Sequence, residues 1–170
     1  MTANEYNQCV SEHADGLYRF AVSLLSDLTE AEDIVQHVFE KFWRRHEDVE
    51  LGAAKTYLFT SVHRACIDFF RRKKTSRNTT ELLPHHDASV AGHDYETRQL
   101  IQKMLENLTE DQKSLILLRD YEGYSYKEIA EILNLTEAQV KINLFRTRKK
   151  LQFFLTGSNV KREKNEIHNK

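Results

Sequence analysis

The chain has 170 residues, 30% of them charged, yet its formal net charge is −1; the total names no partner and leaves room for one ordinary domain or two small ones. One proline and five glycines make it poor in breakers, which predicts a mostly helical protein. Two cysteines, Cys9 and Cys66, are too few for a disulfide framework and lack paired zinc spacing, and no run approaches the roughly 20 apolar residues that span a bilayer.

The N-terminal stretch MTANEYNQCVSEHADG has no basic start followed by an apolar run. No signal peptide is expected, and the chain reads as cytoplasmic. Charge is unevenly spread. Met1 to Glu50 holds eleven acids against four bases, Ser61 to Thr80 six bases against one acid, and Thr136 to Leu155 five against one. Two basic segments in a near-neutral chain predict two anion-facing surfaces.

Four capping boxes punctuate the chain: Thr29/Glu32, Thr109/Gln112, Ser125/Glu128 and Thr136/Gln139. In each, a hydroxyl residue and an acid or amide three positions on satisfy two orphan N–H groups at a helix start. With the apolar periodicity they predict helices over Asn4–Leu25, Thr29–Arg45, Ala53–Lys74, Tyr95–Asn107, Thr109–Tyr121, Ser125–Leu133 and Thr136–Phe154. The second buries Ile34, Val35, Val38, Phe39 and Phe42. The third buries Ala54, Leu58, Val62, Ala65 and Phe69. Its wheel splits the adjacent phenylalanines, sending Phe69 to the core and Phe70 to an outer face with His63, Arg64, Ile67, Arg71 and Lys74. Aromatics mixed with cations suit opened nucleic-acid strands; packing under the first helix is the plainer alternative for Phe70.

Between Thr75 and Asp94 the pattern dissolves into TSRNTTELLPHHDASVAGHD, polar, aperiodic and carrying the single proline. Residues 76–94 read as a flexible linker between a domain over 1–75 and another over 95–155, because so long a structureless loop inside one domain is unusual. Its ends would lie roughly 25 Å apart when relaxed and about 65 Å when stretched. Residues 156–170 read as a frayed polar tail.

The stretch YSYKEIAEILNLTEAQVKINLFRTRKKL carries the most specific pattern. A short helix with Ile129, Ala130 and Leu133 inward meets the turn Asn134-Leu135-Thr136. A longer basic helix follows with Val140, Leu144, Thr147 and Leu151 inward. That is a helix-turn-helix layout. The outer face of the second helix holds Ala138, Lys141, Ile142, Phe145, Arg146 and Lys149. Arginine can pair with guanine and apolar groups can meet a thymine methyl, while Lys149 and Lys150 suit phosphates. A helical hairpin with a solvated basic face is the alternative.

Three motifs in order, AEDIVQ…F…FW, YL…ID…RRKK and LTEDQKSLILLRDYEGYSYKEIAEIL…VK…LFR.RKKL, resemble the extracytoplasmic-function (ECF) sigma factors of bacterial RNA polymerase. The resemblance runs from about Gly16 to Leu151. It implies an all-α fold of two small helical domains, sigma domain 2 and sigma domain 4, joined by a flexible linker. By resemblance, Asp33, Gln36, His37 and Glu40 dock on core polymerase. The third helix and the loop Glu47–Gly52 engage and help melt the −10 element. Arg119, Lys141, Ile142, Phe145 and Arg146 contact the −35 element; a helix-end cation is the alternative for Arg119. The family often has an acid where this chain has His37, an asparagine at Arg64 and an arginine at Asn143. The resemblance implies core polymerase and promoter DNA as partners, commonly an anti-sigma factor too, and neither enzymatic activity nor a cofactor. The rival readings are a stand-alone dimeric helix-turn-helix regulator and an adaptor that sequesters a partner.

Cys9/His13 and His63/Cys66 each offer two metal ligands where a closed zinc site wants four. The expectation is small buried cysteines and ordinary histidines. His85, His86 and His93 fall in the linker and read as part of a polar tract. No nucleophile–base pair or phosphate loop appears, and Trp43 reads as core packing.

Overall fold

A computed structural model describes residues 1–76 and 95–167, with side chains over 1–75 and 100–156. Seven α-helices follow one another among these residues, with no strand: α1 Ala3–Leu25, α2 Leu28–Arg44, α3 Ala54–Ser76, α4 Tyr95–Glu106, α5 Glu110–Ile116, α6 Tyr126–Leu133 and α7 Glu137–Ile167. The predicted linker and its three histidines lie outside the described residues, apart from Ser76 at the end of α3.

Helix α1 starts on a capping box, Thr2 with Glu5, which sequence reading missed although the T-x-x-E spacing was present. It ends at Ser26 in the left-handed region at φ 54°. Asp27 then caps α2 by accepting from the Glu30 N–H at 3.1 Å, so Thr29 lies inside the helix and the Thr29/Glu32 box is not used. An aspartate two residues earlier won the competition for the cap.

The first three helices pack on one another. Helix α2 buries Ala31, Ile34, Val35, Val38 and Phe42, the stripe expected except that Phe39 is half-buried. Helix α3 buries Ala54, Leu58, Phe59, Val62 and Cys66. Phe59 was not foreseen, and Ala65 is half-buried. Phe69 and Phe70 are both half-buried, their rings 6.0 Å apart; the sharp split into core and surface does not occur. Phe20, Phe42 and Phe59 are fully enclosed, and truncating any of them would cost about 3–5 kcal/mol.

In the second half, Thr109 and Gln112 form the predicted box. Helix α5 does not run on regularly to Tyr121. It opens into a π-helical turn over Leu117–Tyr121, closed by Glu122 N–H to Leu117 O at 2.9 Å. Gly123 follows at φ 77°, a conformation that favours glycine. The Ser125/Glu128 box opens α6, Asn134 ends it in the left-handed region, and Thr136 with Gln139 opens α7. Ile129, Ala130, Ile132, Val140 and Leu144 close the core between these helices. Helix α7 continues to Ile167 rather than ending near Phe154 with a frayed tail beyond.

The halves do not stand apart. Helix α3 packs against α6, and α1 against α5 and the π turn, so buried side chains of both halves form one continuous cluster. Gly16 on α1 lies at this contact: a Cβ there would meet Glu122 Oε2 at 3.4 Å and Phe59 Cζ at 3.5 Å. Apolar surfaces of the two halves cover each other.

Candidate functional site

The second helix of the helix-turn-helix exposes the outer face its periodicity predicts. Val140, Leu144 and Thr147 are buried and Leu151 is half-buried, while Lys141, Ile142, Phe145, Arg146 and Lys149 are exposed. Phe145 is 59% exposed and Ile142 49%, an unusual display for large apolar groups unless something covers them. The Lys149 ammonium sits 4.8 Å from the Phe145 ring centre, so cation and aromatic form one patch. The patch is held by its far side: Thr147 Oγ1 donates to Asn143 O at 2.8 Å, and Arg148 pairs with Asp120 on the π turn.

Arg119 is placed differently. Its guanidinium donates to Tyr124 O at 2.7 Å and lies 4.8 Å from the Tyr126 ring centre. It ties the π turn to the start of α6 and does not join the patch on α7.

On α2, Asp33, Gln36, His37 and Glu40 all face outward, spaced by three and four residues along one face. Beside them lies an open groove of about 630 Å³ between α1 and α2, with Tyr6, Tyr18, Phe39 and Trp43 as its aromatic lining and Glu32, Gln36 and Glu40 as its polar side. Trp43 is not core: it is 45% exposed and stacks on His46 with ring centres 4.4 Å apart. Tyr6 fixes the groove by donating from its hydroxyl to Phe39 O at 3.1 Å. Sequence reading missed these aromatics because each reads as core on its own helix.

The candidate face of α3 divides. Arg64, Arg71 and Lys74 are exposed, and Arg71 pairs with Asp68 one turn back at 3.0 Å. His63, Ile67 and Phe70 are half-buried. Earlier on α3 the same stripe meets α6: Thr60 Oγ1 donates to Ile132 O at 3.2 Å, and Thr56 Oγ1 to Glu131 Oε2 at 3.4 Å.

Comparison with known proteins agrees with this two-part layout. Family models for sigma-70 region 2 and sigma-70 region 4 match residues 9–76 and 98–151 respectively. The ECF RNA polymerase sigma factor SigX of Bacillus subtilis is 30% identical over 155 residues, which cover 82% of this chain and 77% of that one. The chain belongs to the ECF sigma factors. Against the ECF sigma factor SigE of Mycolicibacterium smegmatis it is 27% identical over 159 residues, spanning 88% of this chain but 61% of that protein. Among solved structures, the sigma factor RpoE of Bartonella quintana, crystallised with the anti-sigma factor NepR, is 28% identical with a TM-score of 0.72, over 91% of this chain and 98% of that one.

In this sigma factor the seam between the two regions is itself a charged and aromatic site. The Lys55 ammonium of α3 lies 2.7 Å from Glu128 Oε1 and 3.9 Å from the Tyr124 ring centre. Phe59 meets the same ring edge-on at 5.0 Å. Arg19 of α1 holds Glu122 at 3.1 Å. The hydrogen bond from Lys55, then those from Ser125, drive the Glu128 carboxyl down to about 2; burial pushes the Tyr124 phenol up. Glu128 therefore caps α6 with one oxygen and latches α3 with the other.

Cys9 and Cys66 are both free and buried, as expected, and burial pushes the Cys66 thiol up to about 12. Among the described residues no three His, Cys, Asp or Glu side chains gather as metal ligands, and no helix is long and apolar enough to cross a membrane.

Proposed function

We propose that this chain is a cytoplasmic, non-enzymatic initiation subunit that binds core RNA polymerase and directs it to promoters through a −10 and a −35 element. The observation that carries this reading is the exposed Lys141, Ile142, Phe145, Arg146 and Lys149 face on α7, in a chain whose other half matches sigma-70 region 2. Arg146 suits a guanine edge, Ile142 and Phe145 suit thymine methyls, and the lysines suit phosphates. Asp33, Gln36, His37 and Glu40 are the proposed core contacts. The proposed −10 surface is His63, Arg64, Ile67, Phe70, Arg71 and Lys74, with the three exposed cations available first. Arg119 positions the π turn. The division into region 2 over 1–75, a linker over 76–94 and region 4 over 95–155 is part of the same proposal.

Geometry adds a condition. Elements numbered −10 and −35 are separated by about 25 base pairs, roughly 85 Å of duplex at ~3.4 Å per pair. A chain with α3 against α6 cannot span that distance, so the docked form is a resting state that opens on polymerase. An anti-sigma partner that favours the docked form fits this reading; the RpoE relative was crystallised with an anti-sigma factor.

The test is run-off transcription with purified core enzyme over a promoter library. The chain should impose a −10 and −35 pattern at fixed spacing. Unchanged promoter choice on adding it would overturn the reading.

A further inference from the structure

The docked seam contains one group the proposed function does not use in that state. His63 stands on α3 at i+7 from Thr56 and i+3 from Thr60, on the stripe that meets α6. Its Nε2 is fully shielded and has no hydrogen-bond partner. An imidazole can be buried neutral at modest cost, but a buried imidazolium needs an acceptor at both nitrogens or an adjacent carboxylate.

The charged groups around it do not provide one. On α5, Asp111 favours the charged ring without bonding it, and on α3 the neighbouring Arg64 opposes it. The acids that α6 turns toward α3 are already engaged: Glu128 by Lys55, Glu131 by Thr56. Those contacts lie at least two helical turns, about 10 Å, back along α3.

We propose that His63 is a proton-operated latch, whose protonation opens region 2 from region 4. Burial holds its affinity for protons below that of an ordinary histidine. The sign follows from linkage. The docked state excludes the proton, the open state takes it near pH 6.5, and docking is lost as pH falls below that value. Between pH 7.5 and 5.5 the factor (1 + 10^(6.5−pH)) rises from about 1.1 to about 11, so the open population rises by up to about tenfold. The proton selects the open form and need not enter the closed seam.

Two neighbours decide the controls. Glu128, at about 2, does not titrate in this window. His13 on α1 is also lowered, first by burial, and has Lys55 among its neighbours, so it is tested separately by His13→Asn.

The experiment traps open molecules of the full-length chain without DNA or polymerase, so its outcome is independent of the promoter reading. Thr60→Cys puts a thiol in the seam, and its reaction with a pyridyl disulfide reports the open fraction; the wild-type thiols Cys9 and Cys66 are buried. Relative to the same chain carrying His63→Gln, the trapping rate should rise by severalfold, up to about tenfold, between pH 7.5 and 5.5. The His13→Asn chain should keep that rise. A ratio that stays flat, or a rise abolished by His13→Asn, overturns the proposal. If His63→Gln does not fold, an NMR titration of the wild-type imidazole decides: an ordinary or raised pKa for His63 overturns the latch, a lowered one upholds it.

Discussion

Lys55→Met removes one ammonium while keeping the apolar stem, and so isolates the charge that joins α3 to Glu128 and Tyr124. Both ends of the ion pair are about one-third exposed, 35% and 37%, so water screens it and about 0.2–1 kcal/mol is the fitting scale. The Glu128 carboxyl, held at about 2 against an ordinary 4.5, suggests more at face value. Part of that shift belongs to Ser125, whose hydrogen bonds survive the substitution. Loss of the ammonium from the Tyr124 ring adds about 0.5–1 kcal/mol. Together these predict a docked state weaker by about 1–2 kcal/mol, or roughly 5–30-fold more open chain. Trapping of a Thr60→Cys thiol should accelerate by that factor. In a double-mutant cycle, Lys55→Met and Glu128→Gln should couple by about 0.5–1 kcal/mol. A carboxyl lowered by docking stabilises the docked state above its ordinary value and loses that contribution as pH falls from 4.5 toward about 2. The Lys55 effect should therefore be flat between pH 5.5 and 7.5. A trapping rate within twofold of wild type, or a vanishing coupling, refutes the latch geometry.

Lys141→Ala with Arg146→Ala should cut transcription from −35-dependent promoters by about 10–100-fold, at about 1–3 kcal/mol per base-reading contact, with an unchanged melting curve because both side chains are exposed. Arg119→Ala should instead lower the melting temperature, costing about 1–2 kcal/mol for a lost charged hydrogen bond to Tyr124 O; an unchanged melt with lost −35 selectivity would return Arg119 to the DNA surface. Trp43→Ala should weaken core-polymerase binding at least about tenfold in a pull-down titration, as aromatic anchors do, while helical content stays constant. The Cys66 thiol, pushed up to about 12 and buried, should resist iodoacetamide at pH 8 in folded protein and react once urea unfolds it.

The helix-turn-helix was legible because its information is local. Hydroxyl caps, a left-handed Asn134 and a period near 3.6 all lie within thirty residues and agree with one another. The start of α2 was misread for a local reason as well, since Asp27 and Thr29 are both competent caps and only the chain path after Ser26 chooses between them. The groove beside α2 and the seam under α6 are different in kind. Tyr6 and Trp43 come together from two helices. Arg19 finds Glu122, 103 residues away in sequence. On its own helix, the run Lys55, Thr56, Thr60, His63 is an ordinary polar face, and nothing in its spacing says that another helix will cover it.

That cover changes how the proposed DNA surfaces must be weighed. The proposed recognition face on α7 is exposed in the docked form, whereas the proposed α3 surface is half-buried at His63, Ile67 and Phe70. A ligand that needs both sees only the open fraction, and its apparent affinity falls by that fraction. The seam therefore acts on promoter opening more than on −35 contact, and the two should separate in experiment. Lys55→Met should leave the affinity of the free chain for a −35 duplex unchanged, because Lys141 and Arg146 are exposed either way. It should raise run-off transcription at limiting sigma by up to the 5–30-fold gain in open chain. Equal gains in both assays would mean that docking hides the recognition helix as well, contrary to the exposure of Ile142 and Phe145.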